Sequence, residues 1–282
     1  NRFGEAVVTG NIGIVYLNTS DYPNALDHLR RALDIQVGLG NRSSVALLTG
    51  NIGNVFTSTG DVSQALEHYQ RALDMHVSSG DRTNEAVVTG NMGNLHASTG
   101  DHRLALTYFE RAIELHAAVG AKGAVASVTG SMCKSLIALG EIQTARRCLA
   151  ELDTMQVDLP IARITRHEIH GLLLLHDGDP DAAATSYHRA LDEARAFADR
   201  THEADLHKTL RDLAQQRNDF AAYIEHNNAY QRINDEVYGK QATQKLAMLE
   251  AEQRIAAERA EKERHRALLH NTLPPAIAER VL

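Results

Sequence analysis

The chain repeats itself every 40 residues, and a fixed internal period restricts its fold more than any other feature it has. Thr9-Gly10-Asn11-Ile12-Gly13 returns as Thr49-Gly50-Asn51-Ile52-Gly53 and again as Thr89-Gly90-Asn91-Met92-Gly93. A blurred fourth copy reads Thr129-Gly130-Ser131-Met132-Cys133. Units of one length that each cover only their neighbours build a solenoid. Such an array offers a long concave surface and usually no catalytic pocket. The first residues already lie inside a unit, so the sequence reads as a piece of a longer chain.

Each unit carries two helical patterns. In the second unit Leu48, Ile52, Val55 and Phe56 fall at i, i+4, i+7 and i+8, one face of a helix. Gly60-Asp61 then ends that helix and starts the next, because Gly takes the left-handed cap conformation and Asp accepts the free N–H groups of a new first turn. The second helix is expected to bury Ala65, Leu66, Tyr69, Ala72 and Leu73. Gly40, Gly80 and Gly120 close successive units.

This arrangement resembles the tetratricopeptide repeat. The family's small residue, Gly-Asp turn and two alanines are matched by Gly53, Gly60-Asp61, Ala65 and Ala72, and again by Gly93, Gly100-Asp101, Ala105 and Ala112. A fifth copy keeps Gly171, Gly178-Asp179, Ala183, Tyr187 and Ala190. A sixth departs from the pattern: Asn218-Asp219 replaces the turn, Arg211 the small residue, and Tyr223 and Tyr230 the alanines, as a terminal cap would allow. The resemblance implies an all-α, right-handed superhelical solenoid of about six helical hairpins over residues 1–238, followed by a long C-terminal helix. The period exceeds the family's usual length of about 34 residues, which should lengthen both helices.

In that family the first helix of each pair lines the groove. The resemblance therefore puts Asn11, Asn51 and Asn91, with Asn54 and Asn94 one turn on, along the concave face. A carboxamide donates and accepts at once, so these residues suit a peptide or protein ligand held by its backbone, and a solubilising role is the plainer alternative. Gly10, Gly50 and Gly90 would let a ligand approach the helix backbone. With 29 basic against 36 acidic residues, a net charge of −7, there is no electrostatic footprint for nucleic acid. No apolar run reaches the roughly 20 residues of a membrane span, and no secretory signal is visible, which points to the cytoplasm.

No phosphate-cradling loop, nucleophile motif or catalytic carboxylate pair stands out, so neither an active site nor a cofactor is expected. His167-Glu168-Ile169-His170 misses the two-histidine zinc spacing by one residue. His28 and His68, equivalent on successive second helices, read as a solvated helix face. Cys133 and Cys148 lie on the paired helices of the fourth unit. They read as reduced thiols filling small core positions, with a disulfide as the alternative.

Beyond Tyr238-Gly239 the composition changes. Residues 240–267 lack Pro and Gly and are rich in Ala, Glu, Gln, Lys and Arg, a strongly helical mixture. A heptad seam runs through Ala242, Leu246, Leu249, Gln253, Ala256, Ala260, Glu263 and Ala267, with too few large aliphatics for a firm coiled coil. A marginal homodimer through a signalling helix at 239–270 is the expectation, with a lone solvated helix the alternative.

The closing residues 271–282, with Leu268 and Leu269 before them, resemble the transducer element ahead of the catalytic domain in class III adenylyl and guanylyl cyclases. Leu268, Leu269, Asn271, Leu273, Pro274, Ile277, Ala278, Arg280 and Leu282 answer to that pattern, with Val281 intervening. Pro274 breaks the incoming helix, and Asn271 can cap the short amphipathic segment carrying Ile277 and Val281. The resemblance implies the regulatory half of a bacterial-type adenylate cyclase, itself non-catalytic because the cyclase domain is absent from these residues. The same layout fits a sensor of a histidine kinase, diguanylate cyclase or phosphatase, or a stand-alone interaction adaptor.

Overall fold

The computed structural model describes residues 2–155 and 159–236. Those residues form twelve α-helices and no strand, arranged as six hairpins. The hairpins are α1 (Arg2–Asn18) with α2 (Tyr22–Gly38), α3 (Arg42–Thr59) with α4 (Val62–Ser79), and α5 (Arg82–Ser98) with α6 (His102–Ala118). They continue as α7 (Lys122–Ala138) with α8 (Ile142–Thr154), α9 (Pro160–His176) with α10 (Pro180–Ala196), and α11 (Arg200–Gln216) with α12 (220–236). The solenoid expected from the sequence is what forms, a superhelix of the tetratricopeptide type.

The spacing of the helices comes from their ends. A left-handed residue recurs every 20 positions at Ser20, Gly40, Gly60, Gly80, Gly100, Gly120 and Gly140, and again at Gly178, Ala198 and Asn218. The residue after it caps the next helix in all cases but Ala121 and Glu141. Asp21, Asn41, Asp61, Asp81 and Asp101 each accept the N–H of the residue three positions on, as do Asp179, Asp199 and Asp219. Most helices between these stops run 17 or 18 residues.

Each second helix packs between the first helix of its own hairpin and that of the next, while successive first helices touch along the inner side. Leu48, Ile52, Val55 and Phe56 are all buried, as are Ala65, Tyr69 and Ala72, with Leu66 and Leu73 packed half-buried against them. In the second, third and fifth hairpins the small slot receives a ring, and in the first it receives Leu29. A methyl group on Gly53 would lie 2.7 Å from Tyr69 Cδ1, one on Gly93 2.7 Å from Phe109, and one on Gly171 2.6 Å from Tyr187.

The regular advance slips once. After α8, only 13 residues long, α9 starts at Pro160, two residues ahead of the twenty-residue beat. This brings α9 directly onto α7, where Thr165 Cγ2 occupies the space beside Gly130, 2.6 Å from where a Cβ would stand. The same hairpin holds Cys133 and Cys148 as a buried disulfide, a correction to the expected free thiols. Cys133 sits in the small slot, facing a second helix that carries Leu149 where its neighbours carry rings.

At the far end, Arg211 and Tyr230 prove to be partners: the guanidinium lies 5.2 Å from the ring centroid. Two departures from the repeat pattern thus form one cation–π contact. The proposed boundary at 238 and everything assigned beyond it lie outside the described residues. That covers the signalling helix with Leu246, Leu249, Gln253, Ala256, Ala260 and Glu263, and the element with Asn271, Leu273, Pro274, Ile277 and Arg280.

Candidate ligand groove on the first helices

On three successive first helices the same stripe recurs at i, i+4 and i+7: Val7, Asn11 and Ile14, then Leu47, Asn51 and Asn54, then Val87, Asn91 and Asn94. The first stripe and Leu47 of the second line a cleft of about 170 Å³ between α1 and α3, together with Gly10, Ser43 and Ser44. Val7, Leu47 and Val87 are 40, 42 and 44 % exposed, a regular apolar ridge beside the carboxamides. Beyond their first turns α1, α3 and α5 carry no Asp, Glu, Lys or Arg, so this half of the surface is uncharged.

The carboxamides are linked across units. Asn54 Nδ2 donates to Asn51 Oδ1 at 3.4 Å, and Asn91 Nδ2 donates to Asn54 Oδ1 at 3.0 Å. The Tyr69 hydroxyl donates to Asn54 Oδ1 at 2.7 Å and lies 3.0 Å from the Thr57 hydroxyl. Tyr69 therefore reaches through its hairpin from α4 and fixes the orientation of Asn54, while burial pushes its own pKa up. The amide N–H₂ of Asn51 and the carbonyl of Asn91 have no protein partner among the described residues, which leaves one donor and one acceptor free at the groove. Asn11 and Asn94 are exposed and stand outside this network.

The surface changes character after the slip. Across the α7–α9 step the Asn54–Asn91 contact is replaced by an ion pair, Lys134 Nζ to Glu168 Oε2 at 2.6 Å. Asp205 of α11 comes next, its pKa raised first by burial and then by Glu168 against the opposing pull of His202. In the fifth hairpin Leu172 and Leu175 stand where Asn54 and Thr57 stand in the second, so the Tyr187 hydroxyl is buried without a partner. Its pKa is driven well above the usual tyrosine value by burial and by Glu168.

Several sequence readings are revised by this geometry. Gly50 and Gly90 face Val88 with Ala72, and Val128 with Ala112, at 3.5–3.7 Å, so these glycines pack between hairpins and offer no backbone to a ligand. His28 and His68 are stacked rings, not a solvated face: His28 lies on Tyr16 at 5.4 Å and His68 on Phe56 at 5.3 Å between centroids. The third hairpin inverts the pair, with His96 on α5 and Tyr108 on α6 at 5.2 Å. An imidazole and a phenyl-type ring thus meet at the same place three times. His170 lies 3.9 Å from Asp153, which Arg166 also holds at 3.0 Å. No cluster of three or more His, Cys, Asp or Glu among the described residues is placed to hold a metal ion. No helix among them is long and apolar enough to cross a membrane.

Comparison with known proteins agrees with this architecture. Among solved structures, aspartyl phosphate phosphatase F from Bacillus subtilis superposes with a TM-score of 0.71, at 15 % identity over 85 % of this chain and 62 % of that one. A Rap protein complexed with competence and sporulation factor gives 0.70, at 17 % identity over 86 % and 66 %. The Rap conjugation gene regulator of the plasmid pLS20, in complex with the Phr peptide, gives 0.63, at 16 % identity over 89 % and 75 %. The chain spans less than two-thirds of the length of the first two. No curated protein sequence matches it. Residues 4–76 and 44–118 match the tetratricopeptide repeat family, and the fold of the described hairpins is a superhelix of that type.

Proposed function

We propose that this chain is a peptide- or protein-binding module whose ligand lies extended along α1, α3 and α5. The observation that carries this reading is the Asn51–Asn54–Asn91 network, held by Tyr69 with a free donor and a free acceptor beside an apolar ridge. A peptide backbone matches such a pair of hydrogen-bonding groups, and Val7, Leu47 and Val87 suit apolar side chains. The uncharged stripe disfavours phosphate or polyanion ligands, which need cations. Two fold neighbours were solved in complexes, one with competence and sporulation factor and one with the Phr peptide, which supports a peptide as the class of ligand.

Selection from a random-peptide phage library on the 282-residue chain tests the reading. Selected peptides should bind Asn51→Ala/Asn91→Ala at least tenfold more weakly, with little dependence on salt. Loss of two hydrogen bonds of about 1 kcal/mol each is enough for that factor. Equal binding by the variant would remove the groove from the account.

In its finer form the reading makes this module the regulatory part of an adenylate cyclase, signalling through a dimeric helix. Support for that comes from the sequence of residues 240–282 alone. Light scattering with and without those residues tests the dimer. Leucine at Gln253 and Glu263, in a full-length protein that carries an output domain, should lock its regulation.

A further inference from the structure

The last three helices are joined by a chain of hydrogen bonds that permits one pattern of protons. Arg195 Nη2 on α10 lies 3.1 Å from His207 Nε2 on α11, and His207 Nδ1 lies 3.0 Å from His226 Nδ1 on α12. A guanidinium only donates, so His207 Nε2 must be the bare nitrogen. The proton of His207 is then on Nδ1 and is donated to His226, whose own proton is on Nε2. Both imidazoles are buried and both are neutral. A proton on His207 Nε2 would point at the Arg195 N–H, and one on His226 Nδ1 would point at the His207 N–H. Neither ring can take up a proton without breaking a bond of the relay, and His207, with both nitrogens engaged, is not available to a metal.

We propose that this relay is an acid-released latch on the last hairpin: a proton taken up by either imidazole breaks it and frees α12 from α10 and α11. The charged groups around it come from every packed element. On α10 these are Arg195 and His188, whose ring lies 5.4 Å from that of His226. On α11 there is Glu203, bound to Arg195 Nε at 3.2 Å and to Arg200 at 2.7 Å. Asp219 precedes α12, and Glu225 lies on it. The carboxylates favour a proton on the rings, while Arg195 and the histidines oppose it, and burial outweighs all of them. It lowers His207 to a pKa of about 4 and lowers His226 as well. Released rings regain the ordinary histidine value, so the hairpin is fully held above pH 6.5 and loses stability as the pH falls from there towards 4.

Hydrogen exchange on the 282-residue chain at pH 7.5 and pH 5, corrected for the intrinsic rate, tests the latch. For a single ring moving between 6.5 and about 4, opening of α11 and α12 should rise about thirtyfold at pH 5. His207→Gln/His226→Gln keeps a donor and an acceptor at each position and should show no such excess. His76 and His116, buried in α4 and α6, still titrate in that variant, so the difference between the two proteins isolates the relay. Unchanged protection of the wild-type hairpin at pH 5, or an equal acid response in the variant, overturns the proposal. Should the double variant not fold, nitrogen NMR of the wild-type imidazoles decides: His207 neutral with its proton on Nδ1 down to pH 5 supports the latch, and His207 charged at pH 6 refutes it.

Discussion

Gly50 and Gly53 stand one turn apart on the same helix, yet the spaces in front of them differ by about an ångström. The nearest atoms to a Cβ on Gly50 are Val88 Cγ2 at 3.6 Å and Ala72 Cβ at 3.7 Å, ordinary van der Waals contacts. On Gly53 the nearest is the Tyr69 ring at 2.7 Å, and that ring is buried and held by its hydroxyl. Gly50→Ala, and Gly90→Ala by the same argument, should stabilise the chain by about 0.5–1 kcal/mol each through helix propensity. Gly53→Ala and Gly93→Ala should cost about 1–3 kcal/mol as overpacking. Thermal melts of the four variants check the sign reversal. The sequence shows two glycines at a fixed spacing in each echo but not which way either one faces. Reading Gly50 and Gly90 as openings for a ligand failed for that reason, whereas Gly10 lines the α1–α3 cleft.

Among the elements, the hairpins were legible because their stop and start signals are local. Gly60-Asp61 specifies both a left-handed residue and a cap, and every such dipeptide marks a real turn. What was not legible depends on contacts between helices. Tyr16–His28, Phe56–His68 and His96–Tyr108 are pairs twelve residues apart that only the crossing of two helices brings together. The Arg211–Tyr230 pair looked like decay of the repeat because each residue alone breaks the pattern. No Gly-Asp turn marks the slip before α9, and only Pro160 in its first turn signals the new start.

Three helices, α7, α8 and α9, start without a side-chain cap. Ala121 opens α7 without a side-chain cap, although its backbone angles, φ −81° and ψ 66°, resemble those of Asp81 at φ −78° and ψ 77°. Ala121→Asp should therefore cap α7 and add about 1 kcal/mol. A urea melt with an unchanged slope and a higher midpoint would show it.

At the scale of the whole molecule, a solenoid has no contacts between distant units, so a change in one hairpin reaches the others only through its neighbours. The Cys133–Cys148 disulfide makes this testable. It closes a loop with a sequence separation of 15 inside the fourth hairpin, a constraint worth about 3 kcal/mol in the chain-entropy picture. Its position matters because α7 and α8 join the uncharged, amide-lined half of the groove to the half that begins with Lys134–Glu168. Reduction should speed hydrogen exchange in α7, α8 and the α9 packed on them, while α1–α4 keep their protection. Cys133→Ser/Cys148→Ser should reproduce that pattern and respond no further to reductant. Uniform loss of protection from α1 to α12 would mean that the array melts as one unit, and signals could not then be passed stepwise from groove to last hairpin. A change confined to the middle would mean that the two ends of the array move independently across this hairpin, with ligand binding at one end and the histidine relay at the other.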